Sequence, residues 1–172
     1  MPNLIPVLTK EEIDKVVSEI ARRISSDYKG CDLILVGVLK GAFIFLSDLI
    51  RQLTIPVKID FAGLSSYGTQ TSPSGSIHLT KDIEIDLKNT DVLIVEDIID
   101  TGLSLTYLVE HIKKSDPKSV KICALLDKHE RRKADINVDY VGHVIEKGFL
   151  VGYGLDYAEK FRNLPEVYHL KT

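Results

Sequence analysis

The stretch from Val92 to Leu105, VLIVEDIIDTGLSL, passes from an apolar strand pattern into a helix pattern and sets Glu96, Asp97 and Asp100 beside Thr101, Gly102 and Ser104 at the join. A turn that opens a helix presents free backbone amides at the positive end of the helix, and the Thr101 and Ser104 hydroxyls can join them around a phosphate. Gly102 lets the backbone approach such a ligand closely. Taken alone, Asp100, Thr101 or Ser104 would serve equally as a helix cap. Glu96 and Asp97 argue for more than a cap. Carboxylates directly before an anion cradle repel the anion unless they have partners of their own, such as sugar hydroxyls, a bound cation or developing positive charge. A phosphorylated sugar meets all of these demands together: its phosphate on the turn, its ribose diol at Glu96 and Asp97, and a divalent metal bridging sugar and carboxylate oxygens.

These residues need a scaffold, and the patterning supplies one. Thr9 followed by Glu12 is a capping-box signal, after which Ile13, Val16, Val17, Ile20, Ala21 and Ile24 recur at helical spacing to about Ser26. DLILVGV is a solid apolar run of strand length, and AFIFLSDLIRQL reads as the helix after it. VKIDFAGL is a second strand, DVLIVED a third and SVKICALLDK a fourth, with a helix from Ser104 to Lys114 between the last two. Between the second and third lies SSYGTQTSPSGS, whose small polar residues predict a long mobile loop. The tail from Asp139 to Leu170 predicts brief strands, glycine turns and one short helix. Strands alternating with helices predict a parallel sheet, in which ligands gather beyond the carboxyl ends of the strands. Four such ends carry chemistry: LKGA, EDIIDTGLS, LDKHERR and FLVGYGLDY.

The 172 residues, 44% hydrophobic and 27% charged, suit one domain with a continuous core. A formal net charge of -3 disfavours a protein that grips nucleic acid along a broad surface, while leaving small anions possible at a local positive site. Cys31 and Cys123 lie in or beside apolar runs with no partner at metal-ligand spacing, so buried reduced thiols in a cytoplasmic protein are the expectation. The longest apolar stretch, LILVGVLKGAFIFL, is interrupted by Lys40 and Gly41, and MPNLIPVLTK lacks the basic and apolar regions of a signal peptide; no membrane span is expected.

VLIVEDIIDTGLSL resembles the signature of the type I phosphoribosyltransferases, which bind 5-phosphoribosyl 1-diphosphate (PRPP), and its D-I-I-D form is most similar to the hypoxanthine-guanine branch. The resemblance covers nearly the whole chain. VGVLKGAFIF is similar to the family's pyrophosphate loop, GLSSYGTQTSPSG to its mobile lid, LLDKHERR to its purine-selecting strand end, and FLVGYGLDYAEKFRNLP to its base-binding tail. It departs at Leu103, where many relatives carry a polar or basic residue, and at Leu150, where valine is common.

The resemblance implies the α/β type I phosphoribosyltransferase fold, a Rossmann-like parallel twisted sheet flanked by helices, with a small hood formed by the N-terminal and C-terminal segments of a single domain, residues 1–172. It implies transfer of the phosphoribosyl group from PRPP to a 6-oxopurine with Mg2+, by a homodimer or homotetramer, with no nucleic-acid or membrane partner. Asp100 is then the general base that takes the N7 proton, with Glu96 and Asp97 facing the sugar and, together with Asp156, the metal. The 5-phosphate falls to Asp100, Thr101, Gly102, Leu103 and Ser104, and the diphosphate to Lys40, Gly41 and Arg162, with a cis peptide implied between Leu39 and Lys40. Lys128, Phe149, Leu150 and Asp156 would hold the purine, and Ser66 and Tyr67 the lid. An ammonium at position 128 donates to a 6-oxo group, whereas the 6-amino group of adenine offers it only hydrogens. Two rivals share the fold: a xanthine-preferring sibling, and a PRPP-sensing regulator that binds RNA or DNA, for which a basic face would be expected.

Overall fold

Apolar runs of strand length alternate with helical patterns along the chain, and the computed structural model, which describes residues 2–67 and 76–171 with Tyr67 as backbone only, follows that alternation. In chain order the elements are β1 (Asn3–Leu8), α1 (Lys10–Asp27), β2 (Leu33–Leu39), α2 (Phe43–Ile50), β3 (Lys58–Tyr67), β4 (Ser76–Lys81), β5 (Asp91–Ile99), α3 (Leu103–Lys113), β6 (Ser119–Lys128), β7 (Tyr140–Ile145), β8 (Leu150–Val151) and β9 (Val167–Lys171). The main sheet has the order β4-β3-β2-β5-β6-β7; all its pairings are parallel except that of β3 with β4.

Both faces of this sheet are covered, which is why its central strands read as unbroken apolar runs. Leu33 and Leu35 of β2, Leu93 and Val95 of β5, and Cys123 and Leu125 of β6 share one core with α1 and α2. Their neighbours Ile34, Val36, Val92, Ile94, Ile122 and Ala124 share the other with Leu105, Leu108 and Ile112 of α3. The start of α1 is fixed by the predicted capping box: the Thr9 hydroxyl accepts from the Glu12 N–H, and the Thr9 N–H donates to the Glu12 carboxylate. The helix then buries Ile13, Val17, Ile20, Ala21 and Ile24, each of the larger side chains contributing roughly 1.5–3 kcal/mol of transfer free energy.

A second, antiparallel sheet of order β1-β9-β8 joins the two ends of the described chain, as the implied hood requires. Cys31 and Cys123 are both free thiols, and burial pushes that of Cys123 well up. No helix among the described residues is long and apolar enough to cross a membrane.

Both ends of the predicted loop are strand. Ser65, Ser66 and Tyr67 continue β3, and Ser76 begins β4, a strand absent from the sequence reading. Backbone pairing across the hairpin sets Ser66 against Ile77 and Tyr67 against Ser76; the rest of the expected lid, residues 68–75, lies outside the described residues. The tail also differs. The predicted short helix is absent from its described residues, and the backbone turns instead through isolated bridges at Gly152–Leu155 and Tyr157–Lys160. Tyr153, Ala158, Glu159 and Phe161 all have positive φ there, a run that no helix can contain.

The β3–β4 hairpin is tied to the chain that follows it by Asp60. Its carboxylate accepts from the Phe61, Glu84 and Ile85 N–H groups at 2.7, 2.7 and 3.0 Å and from Lys81 Nζ at 3.2 Å. Burial acts to raise this carboxyl, but the three amides and the ammonium together outweigh it and hold the group below its ordinary value. A group depressed in the folded state stabilises above its unfolded pKa, and that contribution fades as pH falls through the folded one. Asp60→Ala is therefore expected to lose about 1–3 kcal/mol at pH 7, from the amides left unsatisfied. In urea denaturation the gap from wild type narrows at pH 3.

Candidate functional site

The carboxyl end of β5 opens into a cleft of about 160 Å3 lined by Glu96 to Gly102, Ser104 and Leu105. Gly102 takes φ +82° and caps α3 without a side-chain hydrogen bond, and the first turn of the helix has no acidic residue. The Thr101 hydroxyl accepts the Leu103 N–H at 3.3 Å, whereas neither Asp100 nor Ser104 caps the helix. Much of the helix's positive end thus faces the cleft without a built-in anion. Glu96 and Asp97 are buried beneath it: the Glu96 carboxylate accepts the Asp97 N–H at 3.0 Å, and Asp97 accepts the Ile98 N–H at 2.7 Å. Burial first, and the neighbouring Asp97 charge second, push the Glu96 carboxyl well above the usual carboxylate range.

The end of β6 lies alongside. Lys128 is buried and donates to the Gly148 carbonyl at 3.1 Å, with its Nζ 3.6 Å from Asp100 Oδ1. Asp100 Oδ2 pairs with Arg131 at 3.3 Å. Arg132 joins the two strand ends: its guanidinium donates to the Asp100 carbonyl at 3.0 Å, the Lys128 carbonyl at 3.1 Å and the Asp127 carboxylate. The Lys133 and Ala134 N–H groups both donate to the Thr101 carbonyl. Arg131 and Arg132 were quoted in the LDKHERR motif without a role. Asp127, next to last in β6, with an arginine five residues on was the signal for a return turn.

The third contribution follows β2. The Leu39–Lys40 peptide is cis, and the next residue is packed so tightly that a Cβ on Gly41 would lie 1.9 Å from Asp97 Oδ2. A Cβ on Gly154, where φ is +98°, would lie 2.1 Å from the Gly41 carbonyl oxygen. Carboxylate, glycine and glycine thus press three chain segments together. From the tail, Arg162 donates to the Gly154 carbonyl at 2.8 Å and pairs with Asp156 at 3.1 Å and Glu159 at 3.3 Å; Glu159 also pairs with Lys40 at 3.0 Å. Phe149 is 51% exposed and meets Tyr157 edge-on at 5.7 Å between centroids, while Leu150 is buried in β8.

Most of the predicted residues therefore form two groups: Glu96 to Ser104 with Lys128, which Gly148 holds, and Lys40 and Gly41 with Asp156 and Arg162, packed about Gly154. Ser66 remains on the β3–β4 ladder. Among the described residues, the buried side-chain polar atoms without a hydrogen-bond partner are Tyr28 Oη, Asp100 Oδ1 and Arg162 Nε, two of them on predicted site residues. No group of three or more His, Cys, Asp or Glu side chains among the described residues is placed to hold a metal by itself. The oxygen donors at the cleft do fit a hard cation such as Mg2+, which is commonly held by one or two carboxylates with phosphate and water oxygens completing the shell.

Residues 7–158 match the model of the phosphoribosyl transferase domain. Over 165 residues the chain is 46% identical to a hypoxanthine-guanine phosphoribosyltransferase of Bacillus subtilis, covering 96% of this chain and 92% of that protein. It is similar in structure to a hypoxanthine phosphoribosyltransferase of Staphylococcus aureus, with TM-score 0.93, 43% identity, and coverage of 96% of this chain and 90% of that one. A hypoxanthine-guanine phosphoribosyltransferase of Bacillus anthracis superposes with TM-score 0.91 at 44% identity, covering 96% and 97% of the two chains.

The packing at Gly41 makes a direct prediction. Gly41→Ala would force Asp97 or the turn after β2 to move, and is expected to lower stability by about 1–3 kcal/mol in urea denaturation.

Proposed function

The chain belongs to the phosphoribosyltransferase family in its hypoxanthine-guanine branch, and from that premise we propose that it forms IMP or GMP and diphosphate from PRPP and hypoxanthine or guanine. The observation that carries this reading is the meeting of two strand ends beside a helix with no acidic residue in its first turn: Asp100 Oδ1, buried without a hydrogen bond, lies 3.6 Å from Lys128 Nζ. An acceptor and a donor at that spacing suit the N7–H and the 6-oxo group on one edge of a 6-oxopurine.

In this reading the 5-phosphate sits on the amides and hydroxyls from Thr101 to Ser104 at the start of α3, where the departure at Leu103 costs no backbone donor. The ribose hydroxyls meet Glu96 and Asp97. The Gly41 turn, Lys40 and Arg162 take the diphosphate, a guanidinium being well shaped for its oxygens. Phe149 stacks on the purine, and the Leu150 backbone meets its edge. Lys128 has three N–H donors. One is fixed on the Gly148 carbonyl, and the ammonium is turned toward Asp100, so its orientation toward the 6-oxo group is set by the protein.

As the bond from ribose C1 to diphosphate breaks, positive charge grows on the sugar, and the Glu96 and Asp97 carboxyls are the nearest groups assigned to that ring. Asp100 receives the N7 proton as the purine nitrogen bonds to C1. Glu96, Asp97 and Asp156 would hold Mg2+, which would supply charge neutralisation for the departing diphosphate. Ser66 and Tyr67 belong to a lid that shields the reacting sugar from water. Assembly as a homodimer or homotetramer and a cytoplasmic location complete the proposal.

Purified protein given PRPP, Mg2+ and hypoxanthine is expected to yield IMP; absence of product overturns the reading. Comparing hypoxanthine, guanine, xanthine and adenine under the same conditions separates it from a xanthine-preferring sibling. Asp100→Ala is expected to lower kcat by about 10²–10⁴ with little change in the KM for PRPP. For Lys128→Ala, the ratio of kcat/KM for hypoxanthine over adenine should fall roughly ten- to a hundredfold, and an unchanged ratio removes this residue from base selection.

A further inference from the structure

Glu159 has no part in the chemistry above, yet it touches both cations assigned to the diphosphate. Its carboxylate bridges Lys40 Nζ at 3.0 Å and Arg162 Nη2 at 3.3 Å, and so joins the turn after β2 to the tail. The backbone that presents it is built against preference. Tyr157 and Lys160 exchange both of their backbone hydrogen bonds at 3.0 Å, closing a two-residue turn whose central residues, Ala158 and Glu159, have φ +51° and +62°. Two successive positive φ values are the pattern of a type I′ turn, for which Asn-Gly is favoured and Ala-Glu is not. Asp156 Oδ2 steadies the turn by accepting the Glu159 N–H at 2.9 Å.

An exposed ion pair by itself is weak. Here one carboxylate spans two cations from distant segments, beside Arg162 Nε, which is buried without an acceptor. Lys40 foremost, and then Arg162, holds the Glu159 carboxyl below its ordinary range, so it is anionic at neutral pH.

We propose that Glu159 is an internal counter-anion of the diphosphate subsite, competing with diphosphate for Lys40 and Arg162 and so setting how tightly that product is held. The proposal rests on the assignment of those two residues to diphosphate. Diphosphate carries more charge and more oxygens than a carboxylate, so it displaces Glu159 on binding. When it leaves, the carboxylate returns and spares the two cations an unpaired state. The unfavourable turn keeps this internal competitor from winning outright.

Diphosphate binding with Mg2+, measured by titration calorimetry, tests the idea directly in three proteins. Glu159→Gln keeps the shape and removes the charge, and its Kd should fall roughly three- to tenfold below wild type. Ala158→Gly keeps the charge and relieves the turn, so its Kd should rise. That second variant separates competition at the subsite from a general loss of negative charge, and circular dichroism checks that both variants fold. An unchanged or higher Kd in Glu159→Gln overturns the proposal, the higher value meaning that Glu159 only positions Arg162. An unchanged or lower Kd in Ala158→Gly also overturns it. IMP formation by the wild type, assayed in parallel, keeps the two readings apart: its absence rejects the transferase, whereas its presence with the wrong order of Kd values rejects only the role of Glu159.

Discussion

A parallel sheet covered on both faces has no room for charge along its strands. In β2, β5 and β6 the buried positions between the strand ends are Leu, Ile, Val, Ala, Gly and Cys, the one charged residue there, Lys121, is exposed, and ionisable groups gather where the cover ends. The cleft at the end of β5 follows from that exclusion. Glu96 and Asp97, Asp127 and Lys128, and Lys40 all stand at the carboxyl ends of their strands, and parallel pairing brings those ends to one edge. An antiparallel sheet would have scattered the same residues to opposite edges.

Crowding so many charges at one edge demands internal pairing, and the arginines supply it. Arg132 binds a carboxylate and carbonyls at the ends of two strands, so Asp127 is paired and buried, while Asp100 is left with one oxygen turned toward Lys128. A lysine at position 132 would offer a point charge where the geometry uses a fork of donors. The buried acceptor on Asp100 is thus preserved by a neighbour that absorbs the competing charge.

The central strands, the three helices and the turn at Gly102 were legible because each has a local cause: continuous apolar runs, helical spacing with a capping box, and a glycine at a strand-to-helix join. What escaped the sequence was set by distant contacts. Ser65 to Tyr67 look like loop residues, and only pairing with Ser76 to His78 makes them strand. The expected tail helix gave way to turns with positive φ at Ala158, Glu159 and Phe161, held by contacts to Asp156, Arg162 and Lys40. Arg132 was visible as a charge but not as a tie between strands, since nothing local says which carbonyls it will reach.

The small sheet has a consequence for the order in which the molecule is built. Asn3 pairs with Lys171 and Leu4 with Leu170, so β1 finds its partner only across almost the whole described chain. Closing so long a loop is entropically costly until the main sheet has already drawn the ends together. During synthesis the strands from β2 to β6 can form their ladder while β1 waits unpaired, and the segment carrying Phe149, Asp156 and Arg162 is fastened last. On this order the turn at Gly102 forms with the main sheet, and the tail that carries Phe149, Asp156 and Arg162 is set in place after it.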